Sequence, residues 1–300
     1  MLVCCACGSK SGSRPEVFIQ ASDVPGEGPF RLAVAGDLLV VMTRAGDILG
    51  YPRGGGAPRV LVPAPPTSYP SPAMATMAGT LYVLRFDALL AVQDGTLRTV
   101  LAFPPDTPGT PMGLIAGGGL LYFSIHGSGQ PIGCPLLSVP ASGGLPRRIV
   151  DYGRDNCFGP GIADETAAHV LLDRQVYRIV HSNGVAEPSN VGGPGMTPFQ
   201  GEIYWPDSRG YSRAPPLGPG PGMHVDFPLT IFQFAADSTA LYAIDYYVAN
   251  PGDPPLTQIT RILPSVEAFS GTWTAPTFEL TLDSRYVYWI QGRDVVRAAR

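Results

Sequence analysis

Gly119-Leu-Leu-Tyr-Phe-Ser124, a polar loop, and then Pro135-Leu-Leu-Ser-Val-Pro-Ala-Ser-Gly-Gly-Leu-Pro-Arg-Arg-Ile-Val-Asp151 decide how this chain is read. Three short apolar runs are separated by turn residues. Ser142-Gly143-Gly144 joins the last two as a hairpin, because glycine accepts the positive φ that a tight hairpin turn requires.

The same phrase recurs on both sides of this stretch. Upstream lie Leu32–Ala35, Leu38–Met42, Asp47–Tyr51 and Pro58–Val62, then Gly79–Val83, Leu89–Val92 and Leu97–Leu101. Downstream lie His169–Leu172 with Gln175–Val180, Gly201–Asp207 with Tyr211–Ala214, and Ala240–Asp245 with Gln258–Ile262. The last repeat holds Tyr286–Ile290 and Asp294–Arg297. Leu39, Tyr82, Tyr122, Val170, Tyr204, Tyr242 and Tyr288 occupy one register position, with a mean spacing of about 41 residues, in the range of propeller blades. Seven repeats of four short strands predict an all-β, seven-bladed β-propeller. A lone four-stranded blade cannot bury both faces, whereas a ring of blades can.

Composition agrees. Glycine (37) and proline (33) are abundant among 300 residues, and 45% of the residues are hydrophobic, which calls for frequent turns around a large core. Charged residues are 15%, against roughly 25% in ordinary soluble proteins. No helical periodicity and no apolar run near the length of a membrane span is present. With net charge −4 and no basic cluster beyond Arg147-Arg148, the footprint of nucleic-acid binding is missing.

The seventh repeat reaches Arg300 with only three strands, while Pro15-Glu-Val-Phe-Ile19 matches the outer-strand pattern of the other repeats. Proline suits a strand with a free edge. Residues 16–19 are therefore expected to pair antiparallel with 295–297 and close the ring. This divides the chain into a tether, 1–13, and one domain, 14–300.

Tyr204-Trp-Pro-Asp207 with Arg213-Ala, and Tyr288-Trp-Ile with Arg297-Ala, resemble degenerate repeats of the Tyr-Trp-Thr-Asp propellers. They are similar also to the propeller lipoproteins of bacterial envelopes, whose blades carry Val-Tyr-Trp and Gly-Gly-x-Pro. The N-terminal Met-Leu-Val-Cys-Cys-Ala-Cys7-Gly-Ser-Lys-Ser-Gly-Ser13 resembles the end of a lipoprotein signal followed by a flexible tether. The resemblance implies lipid attachment at Cys7, export, and a periplasmic or outer-membrane-anchored location, with the membrane touched only through the anchor.

No nucleophile elbow, His-Glu-x-x-His pair, phosphate loop or dinucleotide fingerprint occurs. Asp37, Asp164, Asp237 and Asp283 fall at the turn between first and second strands, where Asp caps tight turns with its own side chain. His126, in a polar loop, and Asp207, Asp245 and Tyr246, at the ends of second strands, point toward one face and form the candidate binding mouth. Cys134 and Cys157 are expected to form a disulfide, as paired cysteines in an exported chain do. The expected function is a monomeric, non-enzymatic scaffold for an envelope protein or glycan, without cofactor or metal. The alternative is a propeller hydrolase or lyase acting on a sugar lactone or glycan at the channel mouth.

Overall fold

The computed structural model describes residues 14–26, 28–65, 72–104, 107, 109–126, 134–151, 161–172, 175–189, 191–216, 222–248, 253, 256–270, 272–273 and 277–300. Cys7 and Cys157 lie outside them. The described residues form seven four-stranded antiparallel sheets. Blade 1 is β2 (Pro29–Ala35), β3 (Leu38–Thr43), β4 (Ile48–Pro52) and β5 (Arg59–Val62). Blade 2 is β6 (Ala73–Met77), β7 (Thr80–Leu84), β8 (Ala88–Gln93) and β9 (Thr96–Ala102). Blade 3 is β10 (Thr110–Gly117), β11 (Leu120–His126), β12 (Pro135–Pro140) and β13 (Arg147–Asp151). Blade 4 is β14 (Gly161–Ala163), β15 (Ala167–Leu172), β16 (Gln175–Val180) and β17 (Ala186–Ser189). Blade 5 is β18 (Thr197–Phe199), β19 (Glu202–Asp207), β20 (Gly210–Ala214) and β21 (Met223–Asp226). Blade 6 is β22 (Thr230–Ala236), β23 (Leu241–Tyr247), β24 (Leu256–Leu263) and β25 (Glu267–Ala268). Blade 7 is β26 (Thr277–Leu282), β27 (Tyr286–Gln291), β28 (Asp294–Ala299) and, from the other end of the chain, β1 (Glu16–Ile19). The first strand of every blade touches the first strands of both neighbours, β26 meeting β2, so the ring is closed.

The second strands read as unbroken apolar runs because both of their faces are buried. Leu39 and Val41 of β3 pack with Tyr288 and Ile290 of blade 7, while Val40 and Met42 pack with Leu81 and Val83 of blade 2. Alternation along the strand thus divides its side chains between two inter-blade cores. All seven register residues, from Leu39 to Tyr288, are buried. The glycine turn behaves as expected: Gly143 and Gly144 have φ of 102° and 136°.

The closing strand is in the expected register, with Glu16 opposite Arg297, Val17 opposite Val296 and Ile19 opposite Val295. Arg297 donates from Nε to Glu16 Oε1 at 2.6 Å. Its guanidinium lies between the rings of Phe18 and Tyr286, 4.2 and 4.4 Å from their centroids. Ala21 N–H donates to Asp294 Oδ1 at 2.8 Å, tying down the residue that opens a single 3-10 turn, Ala21–Asp23. Ile19 is buried in the core shared by blades 7 and 1.

The innermost strands are where the pattern is weakest. Ala73-Met-Ala-Thr-Met77 of β6, and the three-residue β14 and β18, carry little apolar signal. Such strands line the axis and pack against one another. They do not need the uninterrupted apolar run that marks a second strand.

Candidate functional site

The antiparallel order gives the ring two unlike ends. At one end lie the turns after first and third strands. At the other lie the loops after second strands and the crossings between blades, here called the loop end.

The four residues expected to form a mouth are at the loop end, on blades 3, 5 and 6. His126 closes β11 and is exposed. Its Nδ1 is 3.5 Å from Sγ of Cys134, a buried cysteine that takes part in a disulfide. Asp207 caps the tight turn after β19. Its Oδ1 accepts from Ser208 N at 2.6 Å, and its Oδ2 accepts from Ser212 Oγ at 2.9 Å. His224 lies between Asp207 and Asp226, 3.3 Å from each. The Ser208 amide, the Ser212 hydroxyl and the nearby His224 hold the Asp207 carboxyl below its usual range.

Asp245 does not face the solvent: it is fully buried, turned toward blade 5. Its Oδ2 accepts from Thr260 Oγ1 at 2.9 Å and from Gln258 Nε2 at 3.3 Å, whereas Oδ1 has no partner. Burial pushes its carboxyl up to about 6 against those two hydrogen bonds. Tyr246, the next residue, points the other way. It stacks on Phe232 with centroids 4.6 Å apart and planes 20° apart. Phe232 is 56% exposed, and Val248, two residues after Tyr246 in the chain, is exposed too. The extra residue in β22, where Ile231 pairs with Asp245 and Gln233 with Ile244, re-aims Phe232 outward. The sequence carried no signal for this bulge.

At the turn end the capping aspartates do more than cap. Asp164 Oδ1 accepts from the amides of Thr166 and Ala167, Asp237 Oδ1 from those of Thr239 and Ala240, and Asp283 Oδ1 from those of Arg285 and Tyr286. Asp37 contributes its main-chain carbonyl to Arg53 N–H. In blades 1, 4 and 7 the residue directly after the third strand clamps two blades together. Arg53, after β4, donates to Gly36 O in its own blade and, at 2.5 Å, to Asp283 Oδ2 of blade 7. Tyr288 OH donates to the same Oδ2 at 2.9 Å. Arg300, after β28, donates to Asp283 O in its own blade and to Asp237 Oδ2 of blade 6. His181, after β16, occupies the equivalent place. Its Nε2 lies 2.9 Å from Asp164 O, and its Nδ1 lies 2.6 Å from the hydroxyl of Tyr122 in blade 3. A carbonyl can only accept, so Nε2 carries the proton and Tyr122 OH donates to Nδ1. Glycine is required beneath this ring, because a Cβ on Gly118 would stand 2.1 Å from His181 Cδ2.

Burial opposes ionisation of Asp283, but Arg53 and the Arg285 and Tyr286 amides outweigh it and hold the carboxyl below its usual range. Asp237 is likewise held down by Arg300 and its turn, against burial. Burial pushes the Tyr122 phenol up to about 12. These clamps were not read from the sequence. Their signal is a cation or histidine immediately after the third strand, visible only once the strands are aligned in space.

Among the described residues no group of three or more His, Cys, Asp or Glu side chains is arranged to hold a metal ion. No helix among them is long and apolar enough to cross a membrane.

No protein-family model and no curated protein sequence matches the chain. Solved structures do match. YCF48 bound to D1 peptide aligns at TM-score 0.63 and 11% identity, over 97% of this chain and 96% of that one. BamB from Moraxella catarrhalis aligns at 0.53 and 15% identity, over 89% and 83%. The extracellular domain of the BT4673 one-component system from B. thetaiotaomicron aligns at 0.61 and 13% identity, over 96% of this chain; the chain spans 40% of that protein's length. At such identities the likeness is one of fold: the chain is a seven-bladed, four-stranded β-propeller closed by its N-terminal strand.

Proposed function

We propose that this chain is an exported cell-envelope propeller that binds a partner protein through the loop end of blade 6. The observation that carries the reading is the outward-aimed, exposed Phe232, stacked on Tyr246. Exposed aromatic pairs on a rigid sheet suit a protein partner, because they bury area at little entropic cost. The similar structures support the setting: one is an extracellular domain, and another is described in complex with a peptide. Lipid attachment at Cys7 fits the same setting by tethering the ring to a membrane surface. A Cys134–Cys157 disulfide fits it by fixing the crossing from blade 3 to blade 4.

The test is site-specific photocrosslinking in the exported protein. A crosslinker at Phe232 captures one discrete protein, and Phe232→Ser abolishes binding of that protein once purified. A crosslinker at Leu145, an exposed residue of a third-to-fourth-strand turn at the opposite end, does not capture it. Identical products from both positions refute the reading.

A further inference from the structure

Each blade exposes a large apolar side chain at the turn end of its outermost strand. Val60, Leu97 and Met223 stand at the first or second residue of β5, β9 and β21. Leu145, Val185 and Val266 lie one or two residues ahead of β13, β17 and β25, in the turns that lead into them. Val17 holds the same place in β1. Leu145, at 91% exposure, is the most open of them.

In blades 1 to 4 an arginine is set between each neighbouring pair. The Arg59 guanidinium of blade 1 lies over Gly95, in the turn before Leu97 of blade 2, with Nη1 2.5 Å from where a Cβ on that glycine would stand. Arg98 of blade 2 donates to Ala141 O and Ser142 O, at 2.9 and 3.0 Å, in the turn that bears Leu145 of blade 3. Arg147 of blade 3 lies over Gly184, the neighbour of Val185 in blade 4. Apolar and cationic side chains thus alternate along the rim of four blades. Among the described residues, Asp94 and Glu187 are the carboxylates on this stripe, against three guanidiniums.

The chain joins the ring at the same end. β1 runs antiparallel to β28, with Glu16 opposite Arg297 and Ile19 opposite Val295, so it starts at the turn end, where the thirteen residues before Arg14 connect.

We propose that the turn-end rim of blades 1 to 4 is a docking surface for an anionic lipid bilayer. Aliphatic side chains set a blade apart cannot gather into the single desolvated centre on which a protein interface is built. Each can instead enter the acyl boundary by itself, while the neighbouring guanidinium stays among the headgroup phosphates. Resting on the membrane setting proposed above, this turns the loop end and Phe232 toward the partner.

Sedimentation with vesicles of phosphatidylglycerol and phosphatidylethanolamine is the test, with phosphatidylcholine vesicles as the neutral control. The full chain carries Cys7→Ala, so no acyl chain contributes and the outcome is independent of lipid attachment. The anionic vesicles bind it saturably, salt weakens the binding, and the neutral vesicles bind it about tenfold more weakly or less. Binding of this kind is reversed by washing, so loss of the anchor still frees the protein during membrane fractionation. Arg59→Gln and Arg147→Gln each weaken it about fivefold, the worth of one cation near an anionic surface. Leu145→Ser weakens it by about as much, as half-burying one leucine does. The same changes at the loop end, Arg209→Gln and Val248→Ser, leave it unaltered. In the exported protein a photocrosslinker at Leu145 joins phospholipid. No saturable binding to the anionic vesicles, equal binding to the neutral ones, loop-end variants as weak as the rim variants, or a protein captured at Leu145 in place of phospholipid overturns the proposal. Each of these outcomes leaves the protein captured at Phe232 to stand or fall by its own test.

Discussion

Truncating Ile19 to alanine tests how the ring is held shut. Ile19 is 3% exposed and packs with Leu39, Val41, Tyr288 and Ile290, so the change opens a cavity between the first and last blades. Losing a buried isoleucine to alanine costs roughly 2–4 kcal/mol. Val17 lies on the same strand, is paired through the same ladder, and is 52% exposed. Val17→Ala should cost below about 0.5 kcal/mol and serves as the internal control. For a chain of this size about 2–3 °C is lost per kcal/mol, so Ile19→Ala lowers Tm by about 5–10 °C and Val17→Ala by about 1 °C. Denaturant midpoints measured alongside guard against non-two-state melting. The contact between Glu16 and Arg297 spans 281 residues of sequence, so closure pays a large loop entropy and should form late. Amide exchange then reads where the ring loosens. In Ile19→Ala, β2–β5 and β26–β28 should exchange faster by a factor of about thirty or more, while blades 3 to 5 change little, because each blade feels only its neighbours. Deleting residues 15–20 should exaggerate the same pattern, and deleting 8–13 should not reproduce it. Equal effects of Ile19→Ala and Val17→Ala, or faster exchange confined to β1, would refute the reasoning.

Four other outcomes are expected. Asp164, Asp237 and Asp283 all have lowered folded-state pKa values, so their stabilisation is complete above the unfolded carboxylate value near 4 and is lost as pH falls through the lowered values. Arg53→Met should therefore cost roughly 1–3 kcal/mol at pH 7, a penalty that shrinks in urea titrations as pH falls below the unfolded carboxylate value and through the lowered value of Asp283. Asp245 has the opposite sign: its raised pKa means the folded chain keeps a proton the unfolded chain releases, so stability falls as pH rises from about 4 to about 6. Asp245→Asn should remove that slope and gain on the order of 1–2 kcal/mol above pH 6, with little change at pH 4. Cys7→Ala should release the protein from the membrane fraction when expressed from its complete gene; unchanged fractionation would sink lipid attachment. Non-reducing peptide mapping should recover Cys134 joined to Cys157, and an alkylatable Cys157 in native protein would rule that pairing out.

The sequence by itself determined the ring. A second strand buried on both faces must be apolar at every position, so Leu39-Val-Val-Met42 and Tyr288-Trp-Ile290 announce themselves and set the period. The missing fourth strand of the last repeat and the spare run at 16–19 named each other, because an unpaired edge and an unpaired strand are complementary. Three of the four turn aspartates, Asp164, Asp237 and Asp283, were legible for the same local reason: an Asp side chain caps its own turn within three residues. What tertiary structure alone decided is which side chains meet between blades. Asp245 and Tyr246 are adjacent in sequence, yet strand alternation buries one between blades and exposes the other beside Phe232. Arg53 and Asp283 lie 230 residues apart and meet only because the ring closes. The arginines of the turn-end rim reach the turn of the next blade only in the folded ring, so no spacing along the chain could have shown which apolar residue each one flanks.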